Sequence, residues 1–207
     1  MYKLIKDVGV VIVMFLILLC LSSCSSTKTI DTWKDSTYKG RYIEKVLVAG
    51  ISFPFDSRQL EDAFIARFQE YGIQAVSLKA ISPDMGYAVD SVRAGAKRVK
   101  SDSVLTIRLI SVKEKEEWEH FVPTPENPSV LYMEAIQSPP QDYQFEKEDL
   151  VIESSLYDTV SGKLIWRLHS ETIKRGSIGK ENIMIDRLVA SLSKKVVEKL
   201  RDSRLIR

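Results

Sequence analysis

The chain has 207 residues, 44% of them hydrophobic and 28% charged, which suits one globular domain with an extension or two small domains. Its 30 basic and 28 acidic side chains nearly cancel to a net +2, so no strong basic field draws it to nucleic acid. The two cysteines, Cys20 and Cys24, both lie near the N-terminus, which leaves the rest of the chain without a disulfide or a cysteine metal site. With His120 and His169 as the two histidines, a zinc site would need carboxylates to complete it, and no metal or cofactor is expected.

Lys3 and Lys6 precede an almost wholly apolar run, Val8 to Leu21. That run is shorter than the ~20 residues that span a bilayer core, and its basic flank and small-residue exit fit a signal peptide. The exit, Leu21-Ser22-Ser23-Cys24, resembles the lipobox of bacterial lipoproteins. The resemblance implies cleavage between Ser23 and Cys24 and lipid on the Cys24 thiol. Two or more acyl chains hold a protein on a membrane durably. Ser25 follows the cysteine where inner-membrane retention would call for aspartate. By the same resemblance, the expected location is the periplasmic side of the outer membrane. The expected organisation is a signal peptide over 1–23, a lipidated cysteine and polar tether over 24–42, and one α/β domain over 43–207. Trp33 and Tyr38 interrupt the tether. They could dock on the domain, sit at the lipid interface or bind a partner.

Lys45 to Phe53, KVLVAGISF, is rich in β-branched residues and predicts a buried strand. Asp56 predicts a helix N-cap, with Gln59 three residues on as a capping box. Leu60, Phe64 and Phe68 recur at four-residue spacing on one helix face, and Gly72 is a C-terminal stop. Ile73 to Leu78 predicts a second strand. Ser82-Pro83 opens a helical region whose buried face carries Val89, Val92, Ala96 and Val99. Ser103 to Val112, apolar on both sides, predicts a central strand.

Leu150 to Tyr157 and Leu164 to Thr172 predict a hairpin about a turn at Asp158 to Lys163, with Gly162 in a left-handed conformation. Leu164, Trp166 and Leu168 are expected on one face. Ile185, Leu188, Leu192, Val196 and Leu200 mark the apolar stripe of a long final helix, and Lys194, Lys195 and Lys199 lie towards its end. The order β-α-β-α-β, then a β-hairpin, then α, predicts an α/β fold (an α+β sandwich), a mixed sheet of about five strands with helices packed on it.

The lipobox, the KVLVAGISF and SVLTIRLISV strands and the LYDTVSGKLIWRL hairpin, in that order, resemble a group of small periplasmic lipoproteins and envelope proteins. The group includes LpoB-type activators of peptidoglycan synthases, the N-terminal domain of TolB and CsgG-like proteins. The hairpin resembles the group's pattern through Asp158, Gly162, Lys163, Ile165 and Trp166. The resemblance covers about residues 43–201 and implies a β-α-β-α-β-β-α domain used for protein–protein contact.

No catalytic constellation is recognisable. Gly176 to Glu181 has the wrong glycine spacing for a phosphate loop, and Glu181 stands where Ser or Thr would hold magnesium. Ser154 and Ser155 have no evident base, and His169 is expected at the surface or packed in the hairpin. Glu116 with Glu117, and Glu148 with Asp149, are sequence neighbours that a strand would point to opposite faces. The expected function is a non-catalytic binding or assembly factor of the envelope, with an envelope hydrolase or transport accessory as the alternative. The partners expected are the membrane, through lipid on Cys24, and an envelope protein.

Between the third strand and the hairpin runs a long segment, Trp118 to Phe145, with Pro123, Pro125, Pro128, Pro139 and Pro140. Loops of this length are usually functional or disordered. Trp118, Phe121, Tyr132 and Tyr143 are the candidate partner-binding anchors, since aromatics dominate interface energetics. The alternative is that these aromatics fold back over the sheet edge.

Overall fold

The computed structural model describes residues 27–51, 53, 56–83, 87–113, 149–173 and 181–207. Strands β1 (Thr27–Lys34), β2 (Lys45–Ile51), β3 (Gln74–Ser77), β4 (Ser103–Lys113), β5 (Asp149–Asp158) and β6 (Leu164–Ile173) form one sheet in the order β1-β6-β5-β4-β2-β3. Strands β2, β3 and β4 pair in parallel, while β4, β5, β6 and β1 pair antiparallel. The α/β fold with a mixed sheet is therefore as expected, and β4 is central. Four helices accompany it among the described residues: α1 (Ser57–Gln69), α2 (Leu78–Ile81), α3 (Val89–Val99) and α4 (Glu181–Asp202).

The two faces of the sheet carry different layers. Leu60, Phe64 and Phe68 of α1 and Leu188, Leu192, Val196 and Leu200 of α4 pack with Leu105, Ile107, Ile152, Trp166 and Leu168 of the sheet. On the opposite face, Leu78 of α2 and Val92 and Ala96 of α3 pack on Leu47, Ala49, Ile51 and Val104. Strands β2 and β4 thus have apolar residues at consecutive positions because helices cover both of their sides. The chain after α4 turns back through Arg204, at φ 56, and buries Leu205 and Ile206 in the first layer.

Several local expectations are corrected. Residues 27–34, expected within the polar tether of 24–42, form β1, so the sheet has six strands. Their stability comes from pairing along β6, from Thr27 opposite Thr172 to Lys34 opposite Trp166. As an edge strand, β1 leaves most of its side chains exposed, which is why its composition looks like a tether. Trp33 is partly buried against the second layer and Tyr38 against the first, so both dock on the domain. Asp56 does cap α1 by accepting from the Arg58 amide at 2.9 Å, but Gln59 reaches across to Asp186 of α4 instead of closing a capping box. Ser82-Pro83 does not open the second helical region: a separate short helix, α2, ends at Ile81 with the Ser77 hydroxyl accepting from the Ala80 amide at 2.9 Å, and the helix that carries Val89, Val92, Ala96 and Val99 begins at Val89. A register shift at Leu156/Tyr157 puts Leu164 in the second layer, while Trp166 and Leu168 enter the first. Gly72 and Gly162 adopt the left-handed conformations expected, at φ 70 and 69.

Phe64 is fully buried where α1 meets the sheet, whereas Val160 at the β5–β6 turn is 93% exposed. Phe64→Ala should lower unfolding free energy by about 3–5 kcal/mol, and Val160→Ser should change it by less than about 0.5 kcal/mol, both read from urea denaturation.

Candidate functional site

The residues singled out in the sequence, Ser23, Cys24, Trp118, Phe121, Tyr132 and Tyr143, lie outside the described residues, as do His120 and Gly176. The structure does place the points where their segments join the sheet. Lys113, the last residue of β4, faces Asp149, the first of β5, so residues 114–148 leave and return side by side. Leu150 is level with Thr172 of β6, and Thr172 is level with Thr27, the first residue of β1. The Thr27 and Thr172 hydroxyls lie 3.0 Å apart, and Ser191 of α4 lies 2.9 Å from the Thr27 hydroxyl. Cys24, three positions before Thr27, therefore joins the domain at the same end of the sheet as the proline-rich segment.

The densest described chemistry lies across the antiparallel half of the sheet. Arg108 of β4 faces Glu153 of β5, Glu153 faces His169 of β6, and His169 faces Asp31 of β1. These register partners form a charge ladder over four neighbouring strands. Arg108 Nη2 donates to Glu153 Oε1 at 3.3 Å. His169 Nε2 lies 3.0 Å from Glu153 Oε2, and His169 Nδ1 lies 3.0 Å from Asp31 Oδ2. Arg108, Glu153 and His169 are buried, while Asp31 keeps its carboxylate in solvent. Register shifts at Leu109/Ser111 in β4 and at Thr29/Asp31 in β1 flank the ladder. The second shift turns Ile30 out to 51% exposure while aiming Asp31 at the histidine.

Electrostatics in the ladder are cooperative. Burial alone would pull the His169 imidazolium down in pKa, but bonds and attraction from Glu153 and Asp31 outweigh it and hold the pKa above the ordinary value of 6.5. Burial alone would push the Glu153 carboxyl up, but the His169 bond and the Arg108, His169 and Arg167 charges hold it below its ordinary range. With both ring nitrogens on carboxylates, protonated His169 acts as a bridge between β1 and β5.

A second buried carboxylate, Glu61 of α1, has a different environment. It accepts from the Gly50 amide at 2.9 Å, the Lys79 amide at 2.9 Å, the Tyr87 hydroxyl at 3.2 Å and the Ser77 hydroxyl. Burial raises its pKa against the pull of these four donors. A Cβ on Gly50 would come within 2.8 Å of Leu60 Cδ2, so glycine lets α1 approach β2 closely enough for the Gly50 amide to reach the carboxylate. Glu61 thus ties α1 to β2 and to the β3–α2 junction. Among the described residues, no three His, Cys, Asp or Glu side chains are grouped to hold a metal ion, and no helix is long and apolar enough to cross a membrane.

Sequence reasoning missed the ladder. The available signal was Arg108, a lone cation within the apolar SVLTIRLISV run, since a charge in a central strand needs a buried partner.

No family model matches the chain, and no curated protein matches it. Solved structures similar to it include a PelC dodecamer from Paraburkholderia phytofirmans, at 14% identity and TM-score 0.43, over 81% of this chain and 96% of that one. Lipoprotein GNA1162 from Neisseria meningitidis is similar at 15% identity and TM-score 0.39, over 76% and 98%. A DUF330 protein from Xanthomonas campestris is similar at 8% identity and TM-score 0.39, over 83% and 94%.

Removing the carboxylate charge from the ladder leaves two cations buried together. Glu153→Gln should therefore cost about 3–5 kcal/mol of stability. Adding Arg108→Met should recover part of that loss, so that in urea denaturation the double variant is more stable than Glu153→Gln alone.

Proposed function

We propose that the chain is a lipid-anchored envelope lipoprotein, carried on Cys24 at the periplasmic side of the outer membrane, that binds an envelope partner and does not transform a substrate. Its partner-binding element is the segment Trp118 to Phe145, with Trp118, Phe121, Tyr132 and Tyr143 as anchors. The observation that carries this reading is the shared end of the sheet. Thr27 of β1, Thr172 of β6, Leu150 of β5 and Val112 of β4 are level, and the Lys113–Asp149 pair lies one residue beyond them. Three residues of extended chain reach roughly 10 Å. A lipid on Cys24 would therefore hold this end of the sheet beside the membrane, and the proline-rich segment would meet partners there.

The chemistry of His169 also supports a binding role. A general base for a wall or lipid hydrolase needs a ring nitrogen facing a nucleophile, and both His169 nitrogens face carboxylates. The finer resemblance to LpoB-type, TolB N-terminal and CsgG-like domains is part of the proposal; from β2 to α4 the order runs β-α-β-α-α-β-β-β-α, one strand and one helix more than that pattern.

Globomycin should accumulate the uncut precursor, and Cys24→Ala should abolish the membrane-bound mature form in cell fractionation. A Cys24→Ala protein that is still processed and membrane-bound would sink the lipoprotein reading. For the binding segment, alanine at Phe121, Tyr132 and Tyr143 should leave the melting temperature unchanged while reducing partner capture from the native envelope. A lowered melting temperature would assign these rings to the sheet edge instead.

A further inference from the structure

Strand β1 is held differently from its neighbours. It is an edge strand, paired on one side by β6, and most of its side chains are exposed. Its side-chain fastenings are Thr27 to Thr172 and Ser191 at one end, Trp33 and Lys34 at the other, and Asp31 to His169 at the middle. The middle fastening depends on a proton. His169 can donate to Asp31 and to Glu153 together when it carries two N–H groups. Neutral imidazole has one N–H, so one carboxylate must then face a nitrogen lone pair. Glu153 is buried and Asp31 is 56% exposed, so losing the bond costs more at Glu153. The remaining proton stays on Nε2, and the contact to β1 is the one that fails.

We propose that Asp31, His169 and Glu153 form a protonation-dependent latch on β1, and that opening it moves the membrane attachment from one end of the sheet to the other. The second half rests on lipidation of Cys24. With β1 docked, the lipid joins the sheet at Thr27. With β1 released, the first fastening along the chain is Asp35, whose amide donates to the Ile165 carbonyl at 3.0 Å beside the β5–β6 turn. Asp35 lies eleven positions after Cys24 (35 − 24 = 11), roughly 35 Å of extended chain against roughly 10 Å at Thr27. The domain would then hang by its far end with a longer reach.

The direction of the pH response follows from the charges around the ring. His169 faces Asp31 on β1 and Glu153 on β5, with Arg108 on β4 behind Glu153 and Arg167 and Glu171 on its own strand. The two carboxylates it bridges favour the imidazolium and raise its pKa above 6.5. A group raised in this way stabilises the docked state fully below its unfolded value, and that stabilisation is lost as pH rises through the folded value. The latch is closed in mild acid and opens towards alkaline pH.

Hydrogen exchange on the full lipidated chain in detergent micelles, corrected for intrinsic rates, tests both halves. Between pH 5.5 and 8.5 the opening constant of β1 amides should rise about fivefold, as expected for the loss of one hydrogen bond to a charged group at a partly exposed site, while β5 amides hold steady. His169→Gln should open β1 already at pH 5.5 and remove the pH dependence. Asp31→Asn, at an exposed side chain, should do the same with β5 undisturbed, and it serves if the histidine variant fails to fold. A β1 opening constant that is flat with pH, or that moves in step with β5, overturns the latch. The same exchange measured on Cys24→Ala separates the two claims. An unlipidated protein with the wild-type β1 response retains the latch, and a wild-type chain that carries no lipid overturns the change of attachment alone.

Discussion

A charge can be buried in a sheet when the opposite charge arrives at the facing position of the next strand. Arg108, Glu153, His169 and Asp31 meet that condition on four strands at once. Slipping any of these strands by one residue would turn its member of the ladder to the other face and put an aliphatic, serine or threonine side chain in its place. The buried Glu153 and His169 would then lose their facing partners, at several kcal/mol each. The ladder therefore sets the register of the antiparallel half of the sheet, and much else depends on that register. It makes Lys113 and Asp149 neighbours, and it lines Thr27 up with Thr172 at that same end of the sheet.

The parallel half is built on another logic. Strand β2 has little polar content, and its order comes from the helices packed on both faces. Glu61 is the exception, and its four donors come from β2, β3, α2 and the residue Tyr87 before α3. One carboxylate thus does for α1, β2 and the β3–α2 junction what the ladder does for β1, β4, β5 and β6. In both halves a buried acid acts as a geometric constraint, because the cost of leaving it unbonded exceeds what its bonds contribute.

The sequence made most of this fold legible. Period and β-branching located β2, β4, β5 and β6 to within one or two residues, and the four-residue spacing of Leu60, Phe64 and Phe68 located the buried face of α1. These signals are local, and burial writes them directly into composition. Strand β1 was illegible for the opposite reason. An edge strand with polar side chains on both sides has the composition of a linker, and its pairing partner lies at the other end of the chain. The ladder was illegible because its four members are far apart in sequence and ordinary one by one. Only Arg108, alone among aliphatic residues, hinted that a partner was required. The candidate anchors of the proline-rich segment rest on sequence, because they fall outside the described residues.

The weak edge and the buried ladder are connected. A strand that begins three residues after a lipidated cysteine would feel every displacement of the domain from the membrane, yet β1 contributes little apolar area to the core. Its docking rests on ladder hydrogen bonds that water can replace at an edge, on the contacts of Thr27, Trp33 and Lys34 near its ends, and on the Asp31–His169 contact at its middle. Fastening an exposed strand through an internal histidine lets the inside of the sheet govern the connection to the outside. The core can stay intact while the attachment changes, since Glu153 keeps Arg108 whether or not Asp31 is held. Stability is thereby divided between a body set by burial and an edge set by charge, and the edge is the part to which the lipid would be joined.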